Sequence, residues 1–217
     1  MTLQHANIQT RLGLCAAALA GTAAAVPNAQ ADIITFNTPI AIPATFSGVY
    51  VNLGTGAIGG SAGAVPGWDF NPYLVTSTTA LGFYWSPDLV GGLRGAGVAT
   101  TAGGTSYADL ALGTVVSSAS PFTSAIQGTN PNYLNTGTHF LGFRFVNETT
   151  GAMNFGYMTI TTGSGNGFPA TIQSWSYDNT GAAITVVPEP QMTALLTIGA
   201  IVLGALGVRK WRRQATA

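Results

Sequence analysis

One histidine, His139, lies between residues 32 and 187, and a Ser-His-Asp triad in that part of the chain would have to use it. No G-x-S-x-G elbow accompanies it, since Gly163-Ser164-Gly165 has the wrong spacing for a nucleophile elbow. A histidine-based metal site would need a second histidine or a clear carboxylate cluster, and neither is visible in the sequence. The sequence therefore predicts a histidine at the surface or at a strand edge, without a catalytic or metal-binding role.

Carboxylates are the second set of side chains that could do chemistry. Five lie inside this part of the chain: Asp69, Asp88, Asp109, Glu148 and Asp178. A pair of them would suit a glycosidase, but each lies in or near a turn rich in Asn, Pro or Gly, where Asx turns explain most of them. Calcium could take oxygens from Asp69-Phe70-Asn71 or Asp178-Asn179, but no D-x-D-x-D-G loop is present. We predict no metal, no cofactor and no enzyme, and keep a hydrolase that uses loop carboxylates as an alternative.

Aromatic side chains are the third set, because their rings can stack on sugars. The candidates are Trp68, Tyr73, Tyr84, Trp85, Trp175 and Tyr177. Among them, we predict Trp68, Trp85 and Trp175 as candidate glycan-stacking residues. The competing interpretation is that these rings fill a core, because half the positions on each strand of a two-sheet fold are buried. A carbohydrate-binding, lectin-like module is therefore an alternative function.

Residues 54–59, Gly-Thr-Gly-Ala-Ile-Gly, match the G-x-G-x-x-G pattern of dinucleotide sites. The context fails, because Gly60, Gly63 and Pro66 follow where a helix would have to begin. The chain contains 29 glycines, so a chance match is expected. The sequence gives no support for nucleotide binding at this stretch.

Charge is sparse and unevenly placed. Charged residues make up only 6% of the 217-residue chain, against about 25% in an average soluble domain. Residues 32–187 contain six carboxylates and two arginines, while four of the seven basic residues lie together near the C-terminus. A mildly acidic central part argues against a nucleic-acid partner. Disorder is disfavoured as well, because 10% of the residues are aromatic and β-branched runs recur.

Residues 12–26 form a short apolar run after Arg11, and Ala29 and Ala31 then supply the small residues that signal peptidase requires. We predict a secretory signal peptide over residues 1–31, cut between Ala31 and Asp32. The alternative, an N-terminal anchor, is disfavoured because the run is short for a span. The only cysteine, Cys15, would leave with the signal, so the mature chain would have no disulfide.

Short runs rich in β-branched and aromatic residues recur between residues 32 and 187. They predict strands at residues 32–38, 46–53, 81–85, 139–146, 153–161, 171–177 and 183–187. Residues 107–116 fit either a helical turn or a strand, and residues 67–73, 91–104 and 121–135 are predicted as turn or loop. Four closely spaced strands at the end of this part favour an antiparallel sandwich. We therefore predict an all-β domain over residues 32–187, an antiparallel β-sandwich of jelly-roll or lectin-like type.

An uncharged run of 18 residues, 191–208, follows Pro188-Glu189-Pro190. A helix of this length would reach about 27 Å, close to the hydrocarbon thickness of a bilayer. The basic cluster comes next, where a positive-inside stop would lie: Arg209, Lys210, Arg212 and Arg213. We predict one transmembrane helix, because a buried core helix would show a polar face and none appears.

This order of Pro-Glu-Pro, apolar helix and basic cluster resembles the PEP-CTERM sorting domain over residues 188–213, with residues 214–217 as a tail. Lys210-Trp211 interrupts the arginine run but keeps the positive charge. The pattern Phe-x-Gly-Phe-Arg-Phe at residues 140–145 and the aromatic strands after it are similar to the ectodomains of many PEP-CTERM proteins, which brings no assigned activity.

The resemblance implies an exported protein of a Gram-negative bacterium. Signal peptidase, the inner membrane and the membrane protease exosortase would be its partners, with exopolysaccharide as a further candidate and no nucleic acid. It implies transient anchoring with a cytoplasmic C-terminus, processing near Pro188-Glu189-Pro190, and delivery to the cell surface or extracellular matrix. The expected role of the domain is structural or adhesive.

Overall fold

The computed structural model describes residues 32–87, 94–125 and 131–187. The predicted signal segment with Ala29 and Ala31 lies outside the described residues, as do the Pro188-Glu189-Pro190 motif and the C-terminal basic cluster. Among the residues that are described, no helix is long and apolar enough to cross a membrane.

Thirteen strands and two short 3₁₀ turns make up the described part of the chain. The strands are β1 (Ile33–Phe36), β2 (Ile40–Ile42), β3 (Tyr50–Val51), β4 (Ile58–Gly59), β5 (Phe70–Val75), β6 (Ala80–Trp85), β7 (Ala96–Val98), β8 (Val115–Val116), β9 (Phe122–Thr123), β10 (Gly137–Asn147), β11 (Ala152–Gly163), β12 (Gly167–Asp178) and β13 (Ile184–Thr185). The 3₁₀ turns are Ala62–Ala64 and Pro131–Tyr133. The prediction of an all-β fold is confirmed.

The larger sheet has seven strands in the order β1-β12-β11-β10-β7-β9, with β2 also paired to β12. Its centre is the three long strands β10, β11 and β12, which pair antiparallel in sequence order. Gly151, at φ 66°, closes the turn between β10 and β11, where the Thr149 N–H donates to the Asn147 side chain. Residues 147–151 and 163–167 each join two of these strands.

The other strands form a four-stranded sheet, β4-β3-β5-β6, and a two-stranded ribbon, β8-β13. All their pairings are antiparallel. Side chains alternate between two faces along each strand. On the four-stranded sheet, Phe70, Phe83 and Trp85 point to the buried side.

Two hydrophobic clusters lie on opposite faces of the seven-stranded sheet. Leu141, Phe143 and Phe145 of β10 belong to the first cluster, which the four-stranded sheet completes. Phe140, on the other face of β10, packs against the second cluster, to which β8 and β13 contribute Val116, Ile184 and Val186. The seven-stranded sheet is thus covered by the four-stranded sheet on one face and by the ribbon on the other.

Several local predictions are wrong in detail. Of the strand predicted at residues 46–53, only Tyr50–Val51 pairs, and residues 67–73 contain the start of β5 instead of a turn alone. The predicted loops at residues 91–104 and 121–135 contain β7 and β9. Pairing between distant segments forms these short strands: β7 bonds to β10 and β9. At residues 107–116, the strand is limited to β8.

Candidate functional site

His139 is buried inside β10, so the prediction of a surface or strand-edge histidine is wrong. Its Nδ1 lies 2.8 Å from Asp109 Oδ2, and its Nε2 lies 3.0 Å from Thr162 Oγ1 on β11. The other oxygen of Asp109 accepts the Phe140 N–H at 3.0 Å. Because Asp109 precedes β8, these bonds tie that segment to the seven-stranded sheet.

The Asp109-His139-Thr162 row has the order of a hydrolytic triad but lacks a usable nucleophile. Thr162 is buried, and its hydroxyl donates to the Asn135 carbonyl instead of to the imidazole. A triad needs the hydroxyl proton on the side of the base. The Tyr133 ring also lies 5.3 Å from the His139 ring. Burial, with a smaller effect of the Asp109 charge, holds the Tyr133 pKa well above its ordinary value.

Three further described carboxylates, Asp69, Glu148 and Asp178, accept hydrogen bonds from the chain. Asp178 Oδ1 accepts the Thr180 N–H at 2.8 Å and the Ala182 N–H at 3.2 Å, which is the local turn predicted there. Asp69 instead accepts the distant Leu53 N–H at 2.8 Å, and Glu148 accepts from Asn52 at 3.3 Å. Among the described residues, which exclude Asp88, no three His, Cys, Asp or Glu side chains gather as a metal site would require.

Two of the three predicted stacking tryptophans are buried, which corrects that prediction. Trp85 and Trp175 are 0% and 2% exposed. Trp85 Nε1 donates to the Tyr107 hydroxyl, and Trp175 Nε1 donates to the Leu53 carbonyl, both at 3.0 Å. These rings complete the first hydrophobic cluster and cannot meet a ligand. Trp68 alone of the three is partly exposed.

A different set of rings faces solvent on the outer side of the four-stranded sheet. We call it the aromatic groove, and it consists of Phe46, Tyr50, Trp68, Tyr73 and Tyr84. Strand alternation puts it there: Tyr73 and Tyr84 neighbour residues whose side chains enter the core. Gly82 is directly opposite Tyr73 and adds no side chain to this face. The platform therefore stays open.

The rings of the aromatic groove brace one another. The Trp68 ring lies 4.9 Å from Tyr50, edge to face, and 5.6 Å from Tyr84. The Phe46 and Tyr73 rings are 6.1 Å apart, also edge to face. Such contacts contribute about 0.5–1.5 kcal/mol each beyond area burial and limit ring motion. Phe46, Tyr50, Tyr73 and Tyr84 border a concavity of about 280 Å³ with Ser47 and Asn71.

The aromatic groove offers uncharged polar groups that can form hydrogen bonds with a ligand. Within the described part of the chain, the hydroxyls of Tyr50, Tyr73 and Tyr84 and the indole N–H of Trp68 have no hydrogen-bond partner. Burial, and less strongly Tyr84, raises the pKa of Tyr73, so its hydroxyl remains a donor at neutral pH. None of the described charged residues borders the concavity.

The floor of the aromatic groove is fixed before any ligand binds. The Asn71 amide donates to the Ser47 carbonyl at 3.0 Å and to the Val49 carbonyl at 2.9 Å. These bonds hold the segment before β3 against β5, which carries Tyr73. A preformed platform loses little conformational entropy on binding.

Protein-family models, curated proteins and solved structures all give no match. The functional interpretation therefore depends on the groups at the site.

Trp68 borders a different concavity, of about 290 Å³, beside Asp69 and Glu148. Asp69 and Glu148 each accept a hydrogen bond from the chain there, whereas the unpaired hydroxyls of Tyr50, Tyr73 and Tyr84 border the first concavity. The sequence does not locate the aromatic groove, because residues 67–73 are predicted as a turn and the three consecutive aromatic residues at 83–85 do not show which side faces solvent.

Proposed function

We propose that this chain is an exported, exosortase-sorted protein of the cell surface or extracellular matrix, and that its domain is an adhesive β-sandwich that binds neutral saccharides at the aromatic groove. The aromatic groove is the observation that carries the proposal. Sugar rings present C–H faces that pack on aromatic rings and hydroxyls that pair with phenol and indole groups. The sandwich arrangement is supported by the shared cluster between the two sheets.

A neutral saccharide fits better than a charged ligand. Among the described residues, no Lys, Arg, Asp or Glu borders the concavity, so an anionic or cationic group would lose hydration without gaining a charged partner from them. The volume of about 280 Å³ suits one or two sugar units, and the flat, open platform suits a longer chain that continues past it.

Substitution within the aromatic groove tests the ligand class. Isothermal titration of the protein with neutral polysaccharides such as β-glucan or dextran should detect binding, and Tyr84→Ala should weaken it about tenfold or more. Ile58→Ala is the matched control, since Ile58 is exposed but does not border the concavity. Equal affinity in both variants, or no saccharide binding at all, would remove this function.

The sorting part of the proposal is supported by the sequence order at residues 188–213. A tag inserted before Pro188 should report a shorter, surface-delivered product in cells with exosortase and a membrane-retained, longer one in cells without it. Identical size and location in both strains would refute sorting and leave the saccharide test unaffected.

A further inference from the structure

The β8-β13 ribbon has one buried face and one exposed apolar face. Its inner side chains, Val116, Ile184 and Val186, belong to the second hydrophobic cluster. On the outer side, Val115 and Val187 are 54% and 48% exposed, and Leu112 in the preceding turn is 54% exposed. We call Leu112, Val115 and Val187 the apolar ribbon face.

Exposed large hydrophobic side chains are concentrated on the apolar ribbon face. Six large hydrophobic residues are exposed among those described, and three of them form the apolar ribbon face. Residues 111–120 and 181–187, which build the ribbon and its turns, contain no charged side chain. The outer face also holds Thr185, opposite Val115, so it is uncharged and mainly apolar, as is typical of an interaction site.

The chain is held firmly where it leaves the domain. The Val186 N–H donates to the Thr114 carbonyl and the Gly113 N–H donates to the Val186 carbonyl, both at 2.8 Å. The Tyr157 hydroxyl donates to the Val187 carbonyl at 3.3 Å. The last described residue is therefore fixed to the domain and belongs to the apolar ribbon face itself.

The uncharged run of residues 191–208 begins four residues after Val187. Four residues span at most about 14 Å when fully extended. If residues 191–208 lie in a bilayer, Val187 lies within that distance of the membrane surface. The short connection holds the apolar ribbon face next to lipid at a high effective concentration.

We propose that the apolar ribbon face rests on the bilayer surface while residues 191–208 are inserted. The inference depends on the proposed membrane segment. Lipid is the occupant because the anchor of the same molecule delivers the face to the interface, where valine and leucine side chains can leave water.

The proposed contact of the ribbon with lipid also sets the orientation of the whole domain relative to the membrane. The ribbon and the four-stranded sheet cover opposite faces of the seven-stranded sheet. With the ribbon on the membrane, the aromatic groove faces away from it. Pro188-Glu189-Pro190 would lie at the membrane surface, within reach of a membrane protease.

The test uses residues 32–217, the chain expected after signal cleavage, which contains no cysteine, reconstituted in phosphatidylethanolamine–phosphatidylglycerol vesicles that carry a nitroxide on the lipid headgroup. A fluorophore is attached through Val115→Cys in one sample and through Ile58→Cys in the other. Ile58 is the matched control, because it is 52% exposed and lies on the edge strand of the four-stranded sheet. The label at position 115 should be quenched at least about twofold more than the label at position 58.

Vesicle flotation distinguishes the proposed membrane contact of the apolar ribbon face from the proposed membrane segment at residues 191–208. A chain that floats with equal quenching at both positions overturns the membrane contact and leaves the membrane segment standing. A chain that does not float contradicts the membrane segment, and the contact with it. A label at position 115 that is shielded from aqueous iodide but not quenched by the lipid nitroxide shows a protein partner on the face, which also overturns the proposal.

Discussion

Gly156 shows how closely the central strands approach one another. A Cβ added there would lie 2.4 Å from Phe143 Cζ and 2.5 Å from the Ser176 carbonyl oxygen. Because the carbonyl belongs to paired strand β12, it cannot move without breaking the ladder. Gly156→Ala should therefore destabilise the protein by about 1–3 kcal/mol, measured by urea unfolding.

Gly60→Ala is the control for this substitution. No atom lies within 4 Å of a Cβ at Gly60, and its backbone lies outside the left-handed region. It should change stability by less than about 0.5 kcal/mol. A loss at position 60 as large as that at position 156 would show that glycine flexibility, and not the close approach of strands, sets the effect.

At the residue scale, alternation could be predicted where one face of a strand is clearly apolar. The alternating positions of Leu141, Phe143 and Phe145 predict one face of β10, and those of Trp175 and Tyr177 predict one face of β12; all five side chains lie in the first hydrophobic cluster. The run from Phe83 to Trp85 gave no such signal, because three consecutive aromatic residues do not show which side faces the core. Its partner strand β5 decides that, by pairing Trp85 with Phe70.

At the scale of the element, long hairpins were predictable and short strands were not. β10 and β11 contain 11 and 12 residues and are joined by a turn with a glycine, so local sequence specifies them. β7 contains three residues, and its centre is Gly97, where a Cβ would lie 2.6 Å from the Tyr107 ring. Such a strand forms because distant segments pack on it, which a local pattern does not encode.

The contact between His139 and Asp109 is an element-scale link, because it fastens the segment before β8 to β10. His139→Ala would remove this partner from the exposed Asp109 carboxylate and from the buried Thr162 hydroxyl, which keeps its bond to the Asn135 carbonyl, and would leave a cavity inside β10. We expect a loss of about 1–3 kcal/mol in the free energy of unfolding, measured by chemical denaturation at pH 7.

Thr138→Ala is the matched control, since Thr138 is the exposed neighbour of His139 on the same strand. It should leave stability unchanged within about 0.5 kcal/mol. Native-state hydrogen exchange should show the His139→Ala loss most strongly at the Phe140 amide, which Asp109 holds. Uniform loss across all strands would contradict a local fastening role.

At the scale of the whole molecule, two buried tyrosines, Tyr107 and Tyr133, make the stability of the core depend on pH. Burial raises the pKa of Tyr107, against a smaller lowering by its hydrogen bond from Trp85, and burial likewise raises the pKa of Tyr133. Their hydroxyls donate to the carbonyls of Ala125 and Ala108, both at 2.7 Å. Both groups are therefore neutral in the folded protein well above pH 10.

The raised pKa values of Tyr107 and Tyr133 determine the direction in which the free energy of unfolding changes at alkaline pH. In the unfolded chain each phenol ionises near pH 10, while the folded state keeps its proton, so the stability that depends on these groups is complete below about pH 10 and declines above it. The decline should be about 1.4 kcal/mol per pH unit for each tyrosine until the folded-state pKa is reached.

Tyr133→Phe should lower stability at pH 7 by about 1 kcal/mol through its lost hydrogen bond, yet flatten the decline between pH 10 and 11. Urea unfolding of the parent protein and of Tyr133→Phe at a series of pH values measures both effects. An unchanged slope in Tyr133→Phe would show that the core does not exclude the phenolate.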